Sequence, residues 1–537
     1  MFVLISILVV LLLFVKSKRS LHMLQQNLYN ENNRYIKWNI KNISQFLNLE
    51  IIIVILSSIA LFVMYDMRLY NLIIKITICL IYIIRIIKLR SDMKKEKTKK
   101  PLVYTKRIKR LIFTTSVLYL VVLALMFLNK DEEKTLWILT LILTTSTYLN
   151  PLIVFIANII NKPIEKLVYL YYKTKAQNKL KSMPNLKIIG ITGSYGKTSS
   201  KNILSDILNI KYNALPTPKN LNTYNGLIMT VNNNMDKFTE IFIAEMGAYV
   251  KGEIKGLCKL VKPQYGILTR IGTAHLESFG SEQNIIDGKF ELIESLPSDG
   301  VGVLNRDDPK QVNYNLKNDC KILWIGIDEE DVDVRATNIK CSYKGTTFDV
   351  VLKNSDKKYK FETKLLGNHN VYNILAGIAL GLYFGIDMEE LVMAVKGVKP
   401  VEHRLEIKRI GNFFMIDDAY NSNPTGAESA VNVLSMMPGV KIVVTPGMIE
   451  LGKKEDEYNE IFGQQISEVA DYVVLVGEEK TRPILQGLKT KNFDLDKVVV
   501  YNDVREAYKF INTISSNTDK EVYALFENDL PDTYNEK

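Results

Sequence analysis

The stretch from Lys187 to Ser200, KIIGITGSYGKTSS, combines residue types that bind phosphate. It reads as a short buried strand, a glycine loop and the start of a helix. Loop amides and a helix N-terminus bind phosphate oxygens, and glycines let the backbone approach the ligand. A lysine in the loop reaches the β- and γ-phosphates, and the next hydroxyl is a ligand for Mg²⁺. The sequence therefore predicts an ATP site formed by Gly193, Ser194, Tyr195, Gly196, Lys197, Thr198 and Ser199.

The spacing is that of the shorter G-x-x-G-K-T loop, because Ile191 stands where the longer motif has its first glycine. An ordinary glycine turn with a solvated lysine is the alternative, but the order strand, loop, helix favours phosphate binding. Glu245 ends a later buried strand, in IFIAEMGA. Open α/β sheets bind ligands at such strand ends, where a carboxylate holds Mg²⁺ directly or through water.

Other polar residues are candidates for ligand binding, but some also have an ordinary structural explanation. His275 follows a strand, whereas Lys289 has the spacing of an ordinary solvated helix lysine. The polar segment at 368–373 precedes an apolar helix, so its amides either bind a ligand or cap that helix. The carboxylates at 417–418 follow a strand, where they either contact a ribose or metal or form a capped turn.

Composition narrows the class of protein. The 537 residues are enough for three or four domains, and the net charge is +11. Much of that charge lies in Lys88–Arg110, which has eleven Lys and Arg against Asp92 and Glu96. A basic loop between apolar runs indicates membrane topology, and we expect no nucleic-acid partner. The four cysteines lack C-x-x-C spacing, so neither a zinc site nor a disulfide framework is indicated.

Five apolar runs predict membrane helices, although the first is short for a span. The distribution of basic loops places everything after residue 161 on the cytoplasmic side, which predicts a multi-pass protein of the cell membrane with cytoplasmic catalytic domains. The runs are Phe2–Val15, Phe46–Tyr65, Leu69–Ile87, Leu111–Leu128 and Leu136–Ile160.

Alternating strand and helix patterns after residue 184 predict an α/β fold. We divide the chain into a membrane region (1–163), an amphipathic connecting helix (164–183), a central ATP-binding domain (184–400) and a C-terminal domain (401–537). Predicted strands include Lys187–Thr192, Ile241–Ala244, Tyr265–Leu268, Val301–Leu304, Phe413–Ile416, Lys441–Val444, Tyr472–Val476, Val498–Val500 and Val522–Phe526.

These motifs in this order resemble the ATP-dependent Mur ligases, most closely the branch that adds D-alanyl-D-alanine. The resemblance covers about two-thirds of the chain. The motifs are ITGSYGKTSS, EMGA (Glu245–Ala248), IGTAHLESFGS (Ile271–Ser281), GNHNVYN (Gly367–Asn373), HRLE (His403–Glu406), DDAYNSNP (Asp417–Pro424) and PGMIELG (Pro446–Gly452).

The resemblance implies a P-loop central domain and a Rossmann-like C-terminal domain. It also implies that a carboxylate is activated by ATP and Mg²⁺ as an acyl phosphate, which an amine then attacks. By that resemblance Thr198 and Glu245 hold one Mg²⁺, and His275 belongs to a second metal site. Lys289 matches a lysine that carries a carbamate in this family. Asn370 and Asn373 would lie near the adenine, and Arg404, Asp417 and Asp418 near the phosphates and ribose.

Two departures bear on the substrate. The apolar runs occupy the place of the family's soluble N-terminal domain, which grips a uridine nucleotide, and Gly447 replaces an acidic residue before Met448. The expected partners are therefore a carboxylate donor and an amino acid or D-Ala-D-Ala acceptor. The donor is either a muramoyl peptide or another envelope precursor, in soluble or lipid-linked form. A ligase of a poly-γ-glutamate capsule and a membrane transporter driven by a P-loop ATPase are the alternatives.

Overall fold

The computed structural model describes residues 2–42, 68–95, 101–127, 149–273, 275–419, 423–449 and 451–528. The chain divides into two compact units, Met1–Tyr171 and Tyr172–Lys537.

The first unit is helical in its described parts. Its interior contains a small apolar cluster around Leu24, Ile108 and Val154, all fully buried. Asn150 is also buried there, and its amide donates to Ser17 Oγ and to the hydroxyl of Tyr119, at 2.7 Å each. The helices are α1 (Phe2–Gln26), α2 (Arg34–Lys41), α3 (Arg68–Lys95), α4 (Lys106–Phe127) and the first part of α5 (Asn150–Lys181), which continues beyond Tyr171 into the second unit.

The predicted membrane spans are corrected where the structure describes them. Within the described parts of the chain, none of the helices combines the length and hydropathy that a membrane crossing requires. The runs at 2–15, 69–87 and 111–127 fall on α1, α3 and α4, where lysines and arginines follow, interrupt or precede them. Each uninterrupted apolar stretch therefore falls short of about 20 residues. The run at 46–65 lies outside the described residues. Of the run at 136–160, the part up to residue 148 also lies outside them, and the part from Asn150 falls on α5.

The connecting helix is longer than predicted. The sequence places it between residues 164 and 183, but α5 begins at Asn150 and continues through Pro163 without ending.

The second unit begins with a mixed sheet in the order β2-β3-β1-β4-β5-β6-β7-β8-β9. Its pairs are parallel as far as β7, and β8 and β9 are antiparallel additions. The strands are β1 (Lys187–Thr192), β2 (Ala214–Pro216), β3 (Ile241–Glu245), β4 (Tyr265–Leu268), β5 (Val301–Asn305), β6 (Lys321–Gly326), β7 (Val334–Ser342), β8 (Gly345–Leu352) and β9 (Lys358–Thr363).

Helices cover both faces of this sheet, which explains why its central strands are apolar throughout. Ile189 and Ile191 on β1 pack into one buried cluster with Leu204 and Ile374, whereas Ile188 belongs to the cluster on the other face. The helices are α6 (Lys197–Leu208), α7 (Tyr224–Asn233), α8 (Glu253–Val261), α9 (Leu276–Phe279), α10 (Glu282–Glu294), α11 (Pro309–Val312), α12 (Asn368–Tyr383) and α13 (Met388–Gly397).

A second mixed sheet, in the order β10-β11-β15-β12-β13-β14, follows in the same unit. Only its edge pair, β10 with β11, is antiparallel. Its elements are β10 (Glu406–Ile410), β11 (Phe413–Asp418), α14 (Pro424–Ser435), β12 (Val440–Thr445), α15 (Glu455–Ser467), β13 (Tyr472–Val476), α16 (Glu478–Thr490), β14 (Val498–Tyr501), α17 (Val504–Ser516) and β15 (Val522–Glu527).

The predicted α/β class is confirmed, and every predicted strand is present, with ends that shift by at most two residues. The domain limits at 163, 183 and 400 remain predictions.

Helices α15 and α16 approach each other at two glycines. A Cβ on Gly463 would lie 2.2 Å from the carbonyl oxygen of Ile484, and one on Gly487 would lie 2.0 Å from that of Glu460. Both obstacles are backbone atoms, so the helices would have to move apart to admit a side chain. By contrast, a Cβ on Gly256 in α8 has nothing within 4 Å.

We predict opposite effects for two chemically identical substitutions. Gly463→Ala should lower the free energy of unfolding of the second sheet's domain by about 1–3 kcal/mol, because it forces two helices apart. Gly256→Ala should raise stability by about 0.5–1 kcal/mol, because alanine is the better helix former in open space. Urea denaturation of the full chain followed by circular dichroism measures both. Equal effects at the two positions would contradict the close contact.

Candidate active site

The glycine loop closes over the N-terminus of α6. Gly193 has φ +150°, and a Cβ there would lie 1.9 Å from Thr269 Oγ1. Gly196 has φ +81° and immediately precedes the helix. Both positions therefore require glycine, since a side chain would clash at the first and be strained at the second. Lys197 Nζ donates to the carbonyls of Gly193 at 2.8 Å and Ser194 at 3.0 Å, which holds the ammonium inside the loop.

The loop disfavours the protonated form of Lys197. Burial lowers the pKa of its ammonium to about 8, with Arg404 acting in the same direction and Glu245 opposing it. The group is still mainly protonated at neutral pH, but its environment favours the neutral form more than water does. An anionic ligand would relieve that bias, because a nearby negative charge stabilises the ammonium.

The predicted magnesium residues are in contact. Thr198 Oγ1 donates to Glu245 Oε1 at 3.2 Å, and the glutamate is 1% exposed. Because the hydroxyl donates its hydrogen bond to the carboxylate, the lone pairs on its oxygen are available to a cation. These oxygen donors suit Mg²⁺, which takes one or two protein ligands and completes its shell with phosphate oxygens and water. Among the described residues, no group of three or more His, Cys, Asp or Glu side chains is placed to hold a metal ion.

Lys289 is buried, so the interpretation as a solvated helix lysine is wrong. It is 2% exposed, and its ammonium lies 5.3 Å from the ring centre of Phe279 and 3.4 Å from the carbonyl oxygen of Ala248. Burial, together with the nearby Lys197, lowers its pKa to about 7. A lysine with that pKa is about half uncharged at neutral pH and largely uncharged above it, and the uncharged amine is the form that reacts with electrophiles.

The imidazole of His275 is close enough to Lys197 and to Lys289 for both ammonium groups to affect its pKa. Burial, Lys197 and Lys289 together lower its pKa to about 4, so its imidazole is neutral at pH 7 and has a nitrogen lone pair available. Its φ is +61°, an uncommon conformation for a histidine that occurs at functional sites. Its ring centre lies 4.5 Å from that of Tyr249.

A cavity of about 1110 Å³ lies beside the glycine loop, and both sheets' domains contribute to it. Asn373 lies against the loop, since a Cβ on Gly196 would be 3.5 Å from its Oδ1. Asn370 donates to the carbonyl of Leu366 at 2.9 Å, and the N-cap residue of α12 is Gly367, so neither amide caps that helix. Of the predicted nucleotide-binding residues, the cavity is lined by Tyr195, Gly196, Ser199, Asn373, Arg404 and Asp418.

The carboxylates of Asp417 and Asp418 point in different directions, which corrects their treatment as a pair. Asp418 lines the cavity, and burial raises its pKa to about 6 although Arg404 opposes this. Asp417 Oδ2 instead lies 2.8 Å from His403 Nδ1 and accepts from Lys408 Nζ at 3.1 Å. Alternation along β11 explains the difference, because successive side chains face opposite sides of a sheet.

Two polar residues that the sequence did not single out connect the loops of the site. Gln311 donates to the carbonyl of Thr269 at 3.1 Å and to Asp308 Oδ2 at 3.0 Å, and that carboxylate accepts from the amide of Ile271. Thr269 Oγ1 in turn donates to the carbonyl of Tyr195 at 2.6 Å. The available signal was the position of Asp308 and Gln311 just after the predicted strand at 301–304.

Comparison with known proteins agrees with this geometry. The sequence matches the Mur ligase middle domain over residues 191–381 and the Mur ligase, glutamate ligase domain over residues 403–520. It is 32% identical to the UDP-N-acetylmuramoyl-tripeptide–D-alanyl-D-alanine ligase of Bacillus subtilis, covering 64% of this chain and 72% of the relative. For the enzyme of the same name from Escherichia coli the identity is 30%, over 55% of this chain and 65% of the relative.

Solved structures of Mur ligases are similar to this chain as well. MurF from Acinetobacter baumannii has a TM-score of 0.60 and 28% identity, over 67% of this chain and 77% of its own. MurF from Thermotoga maritima, solved in complex with ADP, has a TM-score of 0.59 and 25% identity, over 67% and 79%. The chain therefore belongs to the Mur ligase family of ATP-dependent ligases, which form amide bonds.

Proposed function

We propose that this protein joins a muramoyl peptide to D-alanyl-D-alanine in peptidoglycan synthesis, using ATP and Mg²⁺. The observation that carries the proposal is the contact of Thr198 with Glu245 beside a glycine loop that encloses Lys197. Its support for the substrates is the similarity to ligases with those named reactants.

The reaction we propose has two displacements. A carboxylate oxygen of the donor attacks the γ-phosphorus of ATP, the bond to the β-phosphate oxygen breaks, and ADP leaves with that electron pair. The acceptor amine then attacks the carbonyl carbon of the acyl phosphate, inorganic phosphate leaves, and the amine loses a proton. Lys197 and Arg404 balance charge on the phosphates, and Thr198 and Glu245 would hold Mg²⁺, which supplies further neutralisation.

Lys289 and His275 lie near the loop lysine and are proposed to serve a second metal ion. Unmodified Lys289 does not fit a cation, because it has no negative charge. Its low pKa supports the carbamate that the family resemblance implies, since only an uncharged amine adds carbon dioxide. The resulting carboxylate would be a suitable oxygen ligand beside the neutral imidazole of His275.

The proposed reaction is tested by supplying ATP and D-alanyl-D-alanine with either the UDP-linked or the lipid-linked muramoyl tripeptide. Mass spectrometry of the product and phosphate release give the outcome. Lys197→Ala should reduce turnover by at least about 10²-fold, because a charge that stabilises the transferring phosphoryl group is lost. Lys259→Ala, which removes an exposed lysine on α8, should leave turnover unchanged.

An amide product with either donor supports the proposal and identifies the form of the donor. Product from neither donor, together with turnover of γ-linked glutamate, would favour the capsule ligase instead. Normal turnover by Lys197→Ala would contradict the assigned ATP site.

The carbamate on Lys289 predicts a particular pH and carbon dioxide dependence. The uncharged fraction of the amine rises as the pH passes upward through about 7, so activity should fall below that pH and when carbon dioxide is removed. Bicarbonate should restore it. Lys289→Ala should be inactive and partly rescued by acetate, which supplies the missing carboxylate. Full activity of Lys289→Ala, or no response to carbon dioxide, would rule out the carbamate.

Attachment to a membrane is a separate proposal, and it does not depend on a spanning helix. Its support is the outward position of large apolar residues in the first unit, where Phe113 is 71% exposed, while polar residues such as Asn150 and Asn158 are buried. Exposed apolar patches of this kind mark interaction surfaces. On α3 and α4 the exposed residues include Leu72, Ile73, Ile76, Leu80, Ile83, Ile84, Ile87, Val117, Leu120 and Val121.

Flotation of the full chain with phosphatidylglycerol vesicles tests this attachment. The intact protein should float with the vesicles, and Phe113→Ser combined with Leu120→Ser should reduce the floating fraction, because the apolar contact is weakened. Phe238→Ser is the matched control, since Phe238 is 65% exposed but belongs to the second unit. An equal loss in the control variant, or no flotation of the intact chain, would contradict attachment through these helices.

A further inference from the structure

Lys201 is a buried lysine to which the proposed reaction gives no role. It lies one turn after Lys197 on α6 and is 1% exposed. Its ammonium forms an ion pair with Glu245 Oε2 at 2.9 Å and also donates to the carbonyl of Lys219. Lys201 thus faces the sheet on the apolar side of its helix, together with Leu204 and Leu208.

The two oxygens of Glu245 have separate partners. Oε2 accepts from Lys201, whereas Oε1 accepts from Thr198 at 3.2 Å and from Asn222 Nδ2 at 3.0 Å. The carboxylate is therefore hydrogen-bonded at both oxygens. Oε1, which contacts the Thr198 hydroxyl, is not the oxygen that binds the Lys201 ammonium.

The loop at 217–223 contacts the same carboxylate through the side chain of Asn222. Its Lys219 carbonyl accepts from Lys201, and the Asn222 carbonyl accepts from the amide of Gly247 at 2.9 Å. A Cβ on Gly247 would lie 2.9 Å from Asn222 Cγ, so a side chain there would displace the Asn222 amide. Helix α6, the end of β3 and this loop therefore meet at one buried ion pair.

Stability alone is a poor explanation for this pair. A buried ion pair loses hydration on both partners, and an apolar pair of similar size often stabilises a fold as well or better. Removing either partner alone is costly, because it leaves the other as an uncompensated buried charge.

We propose that Lys201 is a positioning residue for the magnesium site. Its ammonium binds Oε2 of Glu245 and so keeps Oε1 directed at Thr198, where the cation and the nucleotide phosphates would meet. Residues behind a metal ligand commonly set its geometry in this way. This inference rests on the proposed function in one respect, namely that Glu245 serves Mg²⁺.

The first measurement is ADP binding to the full chain by calorimetry across a series of Mg²⁺ concentrations. Lys201→Met should raise the half-saturating Mg²⁺ concentration by about 10- to 100-fold, the usual effect of losing a group behind a metal ligand. ADP affinity in the presence of a chelator should stay close to that of the unmodified chain. Lys259→Met, on the exposed face of α8, is the control and should change neither quantity.

The second measurement is a double-mutant cycle in thermal stability, using Lys201→Met, Glu245→Gln and the two combined. Each single variant leaves one buried charge unpaired, whereas the combined variant leaves none. The combined variant should therefore melt at a higher temperature than the sum of the single effects predicts. This cycle remains informative even where Lys201→Met alone folds poorly.

The outcomes separate the inference from the proposed function. A Mg²⁺ shift together with a non-additive cycle supports it. Additive effects in the cycle would overturn the ion pair, and a non-additive cycle with an unchanged Mg²⁺ requirement would overturn the positioning role and leave a structural one. If Mg²⁺ has no effect on ADP binding to the unmodified chain, the magnesium site of the proposed function fails, and this inference fails with it.

Discussion

The parallel pairing of β1 with β3 and β4 is the constraint on which the site depends. Its register sets Ile191 opposite Glu245 and Thr192 opposite Leu268, so three strands end at the same level of the sheet. The loops that follow carry the glycine motif, the EMGA segment and His275. Because parallel strands place their carboxyl ends along one edge, a shift of a single residue would separate Thr198 from Glu245.

Three ionisable groups at this edge lie in surroundings that disfavour their charged forms. Burial lowers the pKa of Lys197, Lys289 and His275. Lys197 also lowers the pKa of the other two groups, and Arg404, on the C-terminal side, lowers that of Lys197. Burial therefore favours the neutral forms of these groups over their protonated forms. A bound triphosphate would favour the protonated forms of these groups, because a nearby negative charge stabilises a cation. Perturbed pKa values of this kind cluster at functional sites.

Much of this arrangement was predictable because it is local in sequence. The glycine loop, the strand before it and Glu245 at a strand end follow from short patterns with a known period. Burial across elements was not predictable in the same way. Lys289 and Lys201 look like ordinary helix lysines until the packing of neighbouring helices is known, and the apolar runs of the first unit gave a prediction of spans that the described helices do not confirm.

The cavity between the two sheets has a thermodynamic consequence. His369 Nδ1 lies 2.8 Å from Ser429 Oγ across it, and the covalent connection is the short segment around His403 and Leu405, both at positive φ. Leu366 packs into the core of the second sheet, but the other buried clusters described for the two α/β domains are separate, so each domain can unfold by itself. A nucleotide that contacts both walls would act as a cross-link, so their melting transitions should merge into one as its concentration rises. Heat resistance in this protein would then depend on the energy charge of the cell.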